Sequence, residues 1–133
     1  MPRLITTHQV NDCNRQLLIG ADERGNGNAS HYYVIGGFDS NSNLSDPNLD
    51  THGPTTKLSI LFQDGPILEA GVNGITHEVL LAILIDRLQG FQLGPYVCRE
   101  NALALTKLEE AMHWLNARTL LRTQRGVKGT SEV

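Results

Sequence analysis

Thr76-His77-Glu78-Val79-Leu80-Leu81-Ala82-Ile83-Leu84-Ile85-Asp86-Arg87-Leu88-Gln89-Gly90 is the stretch that decides the fold. Just before it, at Gly71-Val72-Asn73-Gly74, the hydrophobic spacing changes from period 2 to period 3.6. Thr76 reads as an N-cap, because its hydroxyl can accept an orphan amide of the first turn. Glu78 sits favourably near the positive end of the helix dipole. Val79, Leu80, Ile83, Leu84, Arg87 and Leu88 carry the helix on, and Gly90 reads as its C-terminal stop. Leu93-Gly94-Pro95 makes a turn. A second helix is predicted from about Val97 to about Thr123. Its apolar stripe is Leu105, Leu108, Met112 and Leu115, flanked by Ala104, Ala111 and Trp114. Two helices joined by so short a turn form an antiparallel αα-hairpin, assigned to residues 74–126.

The run Leu80 to Ile85 is apolar on all sides, and one partner helix cannot satisfy it. It is expected to pack on a sheet on one side and on another copy of the chain on the other. A homo-oligomer is therefore expected.

The first 73 residues read as β-rich. Residues 1–16 read as loop or a short helical turn. Gln16 to Ala21 reads as a strand, Glu23 to Asn28 as a glycine-bearing turn, and His31 to Ile35 as a second strand, giving a β-hairpin. Gly36-Gly37 breaks or bulges that strand. Residues 38–56 are rich in Asn, Asp and Ser with Pro47 and Pro54, and read as a long surface connection. Lys57 to Phe62 makes a third strand, closed by the turn Gln63-Asp64-Gly65-Pro66. The fold class is α+β: a small antiparallel β-sheet packed against a C-terminal αα-hairpin, homo-oligomeric. The whole is taken as one domain over 1–133, with 127–133 as a frayed tail.

Composition agrees with a globular chain. Of 133 residues, 40% are hydrophobic and 19% charged, which suits one domain with its own core and not a disordered chain. The longest apolar stretch, Val79 to Ile85, falls short of the roughly 18 residues of a membrane span. The N-terminus turns polar too early for a secretory signal. Cys13 and Cys98 match no zinc or redox spacing, and read as reduced thiols of an intracellular protein. Net charge is −3 but uneven. Residues 87–128 hold seven basic and three acidic residues, whereas residues 1–86 hold four basic and ten acidic. An acidic whole argues against duplex nucleic acid, which needs a broad basic face. A basic C-terminal section fits a local pocket for a compact anion.

Catalytic signatures are absent. There is no GxSxG, P-loop or HExxH motif. The five histidines have no metal spacing; His113 alone is placed to line a pocket. Glu109 and Glu110 are adjacent on a helix and so diverge, which excludes an acid/base dyad. Gly25-Asn26-Gly27 lies in a hairpin turn and opens no helix, so it is a poor phosphate loop. No cofactor or metal is expected. The hairpin is more informative. Phe91 follows Gly90, where an aromatic is either a core plug or a stacking platform. Arg99, Asn101 and Thr106 fall in the first turns of the second helix. Arg118 and Arg122 recur at i, i+4 near its far end. Dipole complementation alone accounts for the last two, and a local backbone bond for Asn101. The alternative is a grip on a purine and its phosphates: an aromatic face, an amide and guanidinium groups.

Four strings bear on that choice: Gly90-Phe91-Gln92, then Cys98 to Ala111, Trp114 to Thr119, and Arg125 to Thr130. They resemble the helical hairpin shared by two phage counter-defence families, the Thoeris anti-defence sponge and the anti-CBASS sponge. The likeness covers residues 74–130, and the sheet-containing first half, with Phe62-Gln63-Asp64-Gly65-Pro66, looks like the Thoeris branch. The resemblance implies a non-catalytic protein in the cytoplasm of the infected bacterial host. Such a protein sequesters cyclic ADP-ribose isomers, and in some relatives also cyclic di- or trinucleotides at a separate site. It implies dimers, and hexamers built from dimers, with pockets between chains. By motif position, Phe91 would stack on the base, Asn101 would hydrogen-bond the ligand, and Arg118, with Arg122, would meet the phosphates. Arg99 and Thr106 would belong to the cyclic oligonucleotide site. One departure stands out: Gly65-Pro66-Ile67-Leu68-Glu69 offers no basic residue where the family's pocket is expected to have polar or basic groups. The rival readings are an enzyme that degrades the same signals and a structural or regulatory oligomer without a ligand.

Overall fold

The computed structural model describes residues 3–124. They divide between Asp64 and Gly65 into two compact units. The expected frayed tail, and the string Arg125 to Thr130, lie outside the described residues.

The first unit is an antiparallel sheet of four strands in sequence order: β1 (Arg3–Ile5), β2 (Leu18–Ala21), β3 (Tyr32–Gly36) and β4 (Leu58–Leu61). β1 is the strand that periodicity missed. Three residues are too few to show alternation, and β1 is fixed by pairing with β2, where Leu4 faces Gly20. The predicted β2–β3 hairpin is present, with Ile19 opposite Ile35, and β3 continues to β4 with Tyr33 opposite Ile60. Because side chains alternate along a strand, Ile5, Ile19, Ala21, Tyr33, Ile35 and Ile60 share one face. Ala21 on that face is only 1% exposed, and Phe62 closes edge-on against Tyr33 with ring centres 5.6 Å apart. The opposite face carries Leu4, Leu18, Tyr32, Val34 and Leu61 around Gly20 and Gly36. Part of it forms an open apolar trough of about 480 Å³.

Gly37 ends β3 as expected of a strand breaker. Its φ is +85°, and a Cβ there would lie 2.0 Å from the Gln16 carbonyl oxygen, so no other residue fits. The Asp22 carboxylate, which accepts the backbone amides of His31 and Tyr32 at 3.0 and 3.3 Å, anchors the re-entry of the chain after the glycine-rich turn.

The 38–56 connection is folded. One helical turn, α1 (Asp12–Arg15), lies between β1 and β2; another, α2 (Leu49–His52), lies in this connection, where the chain wraps on the Asp46 carboxylate. That group accepts the hydroxyls of Ser40 and Thr55 and the amide of Asn48. Ser40 in turn accepts the Thr55 amide at 2.7 Å. Ser40 is buried at 7% exposure, so this polar knot stands where a core residue would. The three hydrogen bonds, Ser40's first, hold the Asp46 carboxyl at about 2, against an ordinary value of 3.8.

The second unit is the αα-hairpin, preceded by a single helical turn, α3 (Ile67–Ala70). α4 spans His77–Gln92 and α5 spans Arg99–Gln124. Thr76 caps α4 as predicted, its hydroxyl accepting the Val79 amide at 3.3 Å. The expected stop at Gly90 is corrected: the helix runs two residues further. Gly90 is not among the glycines with positive φ, so it lacks the left-handed conformation that ends a helix. The two helices pack on each other. Leu105, Leu108, Met112 and Leu115 are partly buried along α5, and Leu80, Leu81, Ile85 and Leu88 along α4. Trp114, expected to flank the stripe, is instead 70% exposed.

Candidate ligand site on the helical hairpin

The α4–α5 turn is built by a side chain acting as a strand. Gln92 donates from Nε2 to the Cys98 carbonyl at 3.1 Å and accepts the Cys98 amide on Oε1 at 3.2 Å. A β-ladder makes the same paired exchange. The clamp fixes the start of α5 against the end of α4 and brings four groups together. Phe91 lies in the last turn of α4. Tyr96 meets it edge-on, with ring centres 5.8 Å apart and planes at 81°. The Arg87 guanidinium lies 5.0 Å from the centre of the Phe91 ring. Asn101 donates from Nδ2 to the Tyr96 carbonyl at 3.3 Å.

This arrangement decides what each group can offer. Phe91 is partly buried, packed perpendicular to Tyr96 and with one side visited by a cation. A cation–π contact at an exposed site is worth only about 0.5–1 kcal/mol. Asn101 has spent one amide proton on Tyr96, which leaves its Oδ1 as an acceptor for a donor such as an exocyclic amine or a ribose hydroxyl. The local backbone bond expected as the alternative for Asn101 is thus real, and it does not consume the whole side chain. Arg87 and Tyr96 were not singled out in the sequence. The signal for Arg87 was its spacing: it stands four residues before Phe91, where helix side chains meet.

The remaining candidates lie along α5. Arg99 and Thr106 are exposed, seven residues apart and so on one face of the helix. Arg118 is exposed and Arg122 partly buried. Asn101 and Arg118 are 17 residues apart, roughly 26 Å along a helix rising 1.5 Å per residue. One chain therefore brings Phe91 and Asn101 together but holds Arg118 away from them. Among the described residues, Arg99 and Arg118 make no ion pair. Lys107 pairs with Glu110 at 3.6 Å, and His113 packs edge-on against Trp114 with centres 5.3 Å apart. Among the described residues no three His, Cys, Asp or Glu side chains gather as metal ligands. No helix among them is long and apolar enough to cross a membrane.

Comparison with known proteins gives two matches. The Thoeris anti-defense 1 protein of Bacillus phage SBSphiJ7 is 57% identical over 74 residues, or 56% of this chain and 52% of that protein. The chain thus spans about half the length of the curated relative it matches. A family model described as Acb2/Tad1, hairpin domain, matches residues 54–120. That span is half of the chain and includes both long helices up to Leu120, so the chain belongs to the Acb2/Tad1 hairpin family.

Proposed function

We propose that this protein is a phage counter-defence sponge. It binds a cyclic nucleotide immune signal, of the cyclic ADP-ribose kind, and holds it uncleaved in the cytoplasm of the infected host. The observation that carries the reading is the α4–α5 turn, where a ring, an amide acceptor and a guanidinium meet within the part of the chain that matches the family. Those groups suit a base, its ribose and its phosphate, and none of them is a nucleophile or a base poised for hydrolysis.

The roughly 26 Å between Asn101 and Arg118 along α5 is longer than a compact cyclic dinucleotide. If Phe91, Asn101, Arg118 and Arg122 hold one ligand, Arg118 and Arg122 come from a second copy. The apolar residues left open on the hairpin favour the same assembly: Ile83, Leu103, Trp114 and Leu121 are 46–70% exposed. Leu103, Trp114 and Leu121 are spaced at helical intervals that put them on one side of α5. A second copy covering that side makes a dimer with two pockets, and dimers of this kind build the hexamer.

A sponge needs slow release. A nanomolar site corresponds to about 12 kcal/mol, which base stacking and several charge-assisted hydrogen bonds of roughly 1.5–3 kcal/mol each supply in a closed pocket. The test is a thermal-shift screen against cyclic ADP-ribose isomers and cyclic di- and trinucleotides, then recovery of the ligand after denaturation. A binder at 100 times its dissociation constant adds about 2.7 kcal/mol of stability and is returned intact. Recovery of a cleaved product makes the protein an enzyme, and no shift with any probe leaves the structural oligomer. In calorimetry, Arg118→Ala is expected to weaken the ADP-ribose-type ligand roughly tenfold to a hundredfold without changing the fold. Unchanged affinity makes Arg118 a dipole partner only.

A further inference from the structure

We infer that Arg87 is a phosphate-binding residue of the hairpin site, and that the Phe91 ring is where its guanidinium rests in the free protein. The inference rests on the reading of this hairpin as a nucleotide site. It adds a residue and a chemical requirement to that reading: the ligand carries a phosphate close to the base that Phe91 receives.

Three observations converge. Arg87 is exposed on α4 and makes no ion pair among the described residues. Its guanidinium lies 5.0 Å from the centre of the Phe91 ring, a weak hold at an exposed position. A charge-assisted bond to a phosphate is stronger, and the planar fork of arginine presents two parallel donors to it. The ordinary structural roles for a helix arginine do not fit. The last turn of α4 holds no basic residue, so Arg87 stands outside the turn where a cation complements the dipole. Asp86 is its neighbour in sequence, and adjacent helix residues point about 100° apart.

A phosphate bound beside the base-stacking ring needs a cation there, and Arg87 stands next to Phe91. A nucleotide places its phosphate one ribose away from its base. A flexible side chain anchored one turn before Phe91 on the same helix sweeps that volume while the base lies on the ring. Asn101, with its free Oδ1 at the same turn, then reads a ribose hydroxyl or an amine between the two. Base, sugar and phosphate thus each meet one group where the end of α4 meets the start of α5.

The test uses the whole protein and calorimetry with cyclic ADP-ribose and its isomers, comparing unmutated protein with Arg87→Gln and Arg87→Lys. Gln keeps a planar polar end that can lie on Phe91 but loses the charge. Lys keeps the charge and loses the fork. Affinity is expected to fall roughly tenfold to a hundredfold in Arg87→Gln and by less in Arg87→Lys. The salt dependence of binding is expected to flatten in Arg87→Gln, since one phosphate contact is gone. Helix content and unfolding midpoint are expected to stay unchanged, because the side chain is exposed. Arg87→Gln binding as tightly as the unmutated protein overturns the inference and leaves the sponge intact. So does a loss of affinity with an unaltered salt dependence, which makes Arg87 a prop for Phe91. No binding of any isomer by the unmutated protein overturns the proposed function and this inference together.

Discussion

At the scale of single residues, two sets of side chains stand out, and only one is legible as a motif. Asp46 belongs to the first unit, far in sequence from the helices, and gathers three hydrogen bonds into the 38–56 segment. Its carboxyl is lowered from 3.8 to about 2 by the Ser40 hydroxyl first, then by Thr55 and Asn48. A lowered value means the folded chain prefers the ionised form. The contribution is complete above the ordinary carboxylate range and is lost as pH falls from about 4 through about 2. The amide resonances of Asn48 and Thr55 are expected to titrate with a midpoint near 2. A midpoint near that of a free aspartate would mean that the knot does not form in solution. Nothing in the composition of 38–56 announced this order. Asn, Asp and Ser read as solvent-facing because their hydrogen-bond partners lie up to 15 residues away, beyond what local spacing detects. Phe91 and Asn101, by contrast, are legible because their types and positions belong to a recognisable string. What the string does not reveal is their surroundings: Arg87 over the ring and Tyr96 at its edge.

Helices were read well and strands less so, for a physical reason. A helix repeats its apolar face several times, so α4 and α5 announce themselves, down to the Thr76 cap. A strand of three residues such as β1 repeats nothing, and its place is decided by the partner it pairs with. The end of α4 shows the same limit. Gly90 is a plausible stop by type, yet the Gln92 clamp on Cys98 secures a later one, and that clamp is a tertiary fact. The cap and the clamp act at opposite ends of α4 and are separable. Thr76→Ala is expected to cost about 1 kcal/mol, read as a lower unfolding midpoint. The ligand affinity of the α4–α5 turn is expected to be unchanged, since the cap lies fifteen residues before Phe91. A loss of affinity in a folded Thr76→Ala protein would show that the start of α4 is part of the site.

At the scale of the whole molecule, the proposed sponge function raises the question of how many ligand sites the chain provides. Arg99 and Thr106 lie on one face of α5, roughly 10 Å apart along the axis, and Arg118 lies roughly 18 Å beyond Thr106. On the proposed reading, a ring-shaped trinucleotide would span Arg99 and Thr106, above all if several copies brought those faces together about a symmetry axis. It does not also reach Arg118 of the same chain. Both faces are exposed, and neither Arg99 nor Arg118 is spent on an ion pair among the described residues. The expected outcome is two independent sites. Arg99→Ala or Thr106→Ala abolishes binding of cyclic trinucleotides and spares the cyclic ADP-ribose kind, while Arg118→Ala does the reverse. In sedimentation the protein is expected to run as more than one chain at micromolar concentration, because both proposed sites would need facing copies. Competition between the two ligand classes decides the matter on the unmutated protein. Simultaneous saturation with both requires separate sites. Mutual exclusion means one shared pocket, and a clean monomer that still binds tightly removes the need for a second copy altogether.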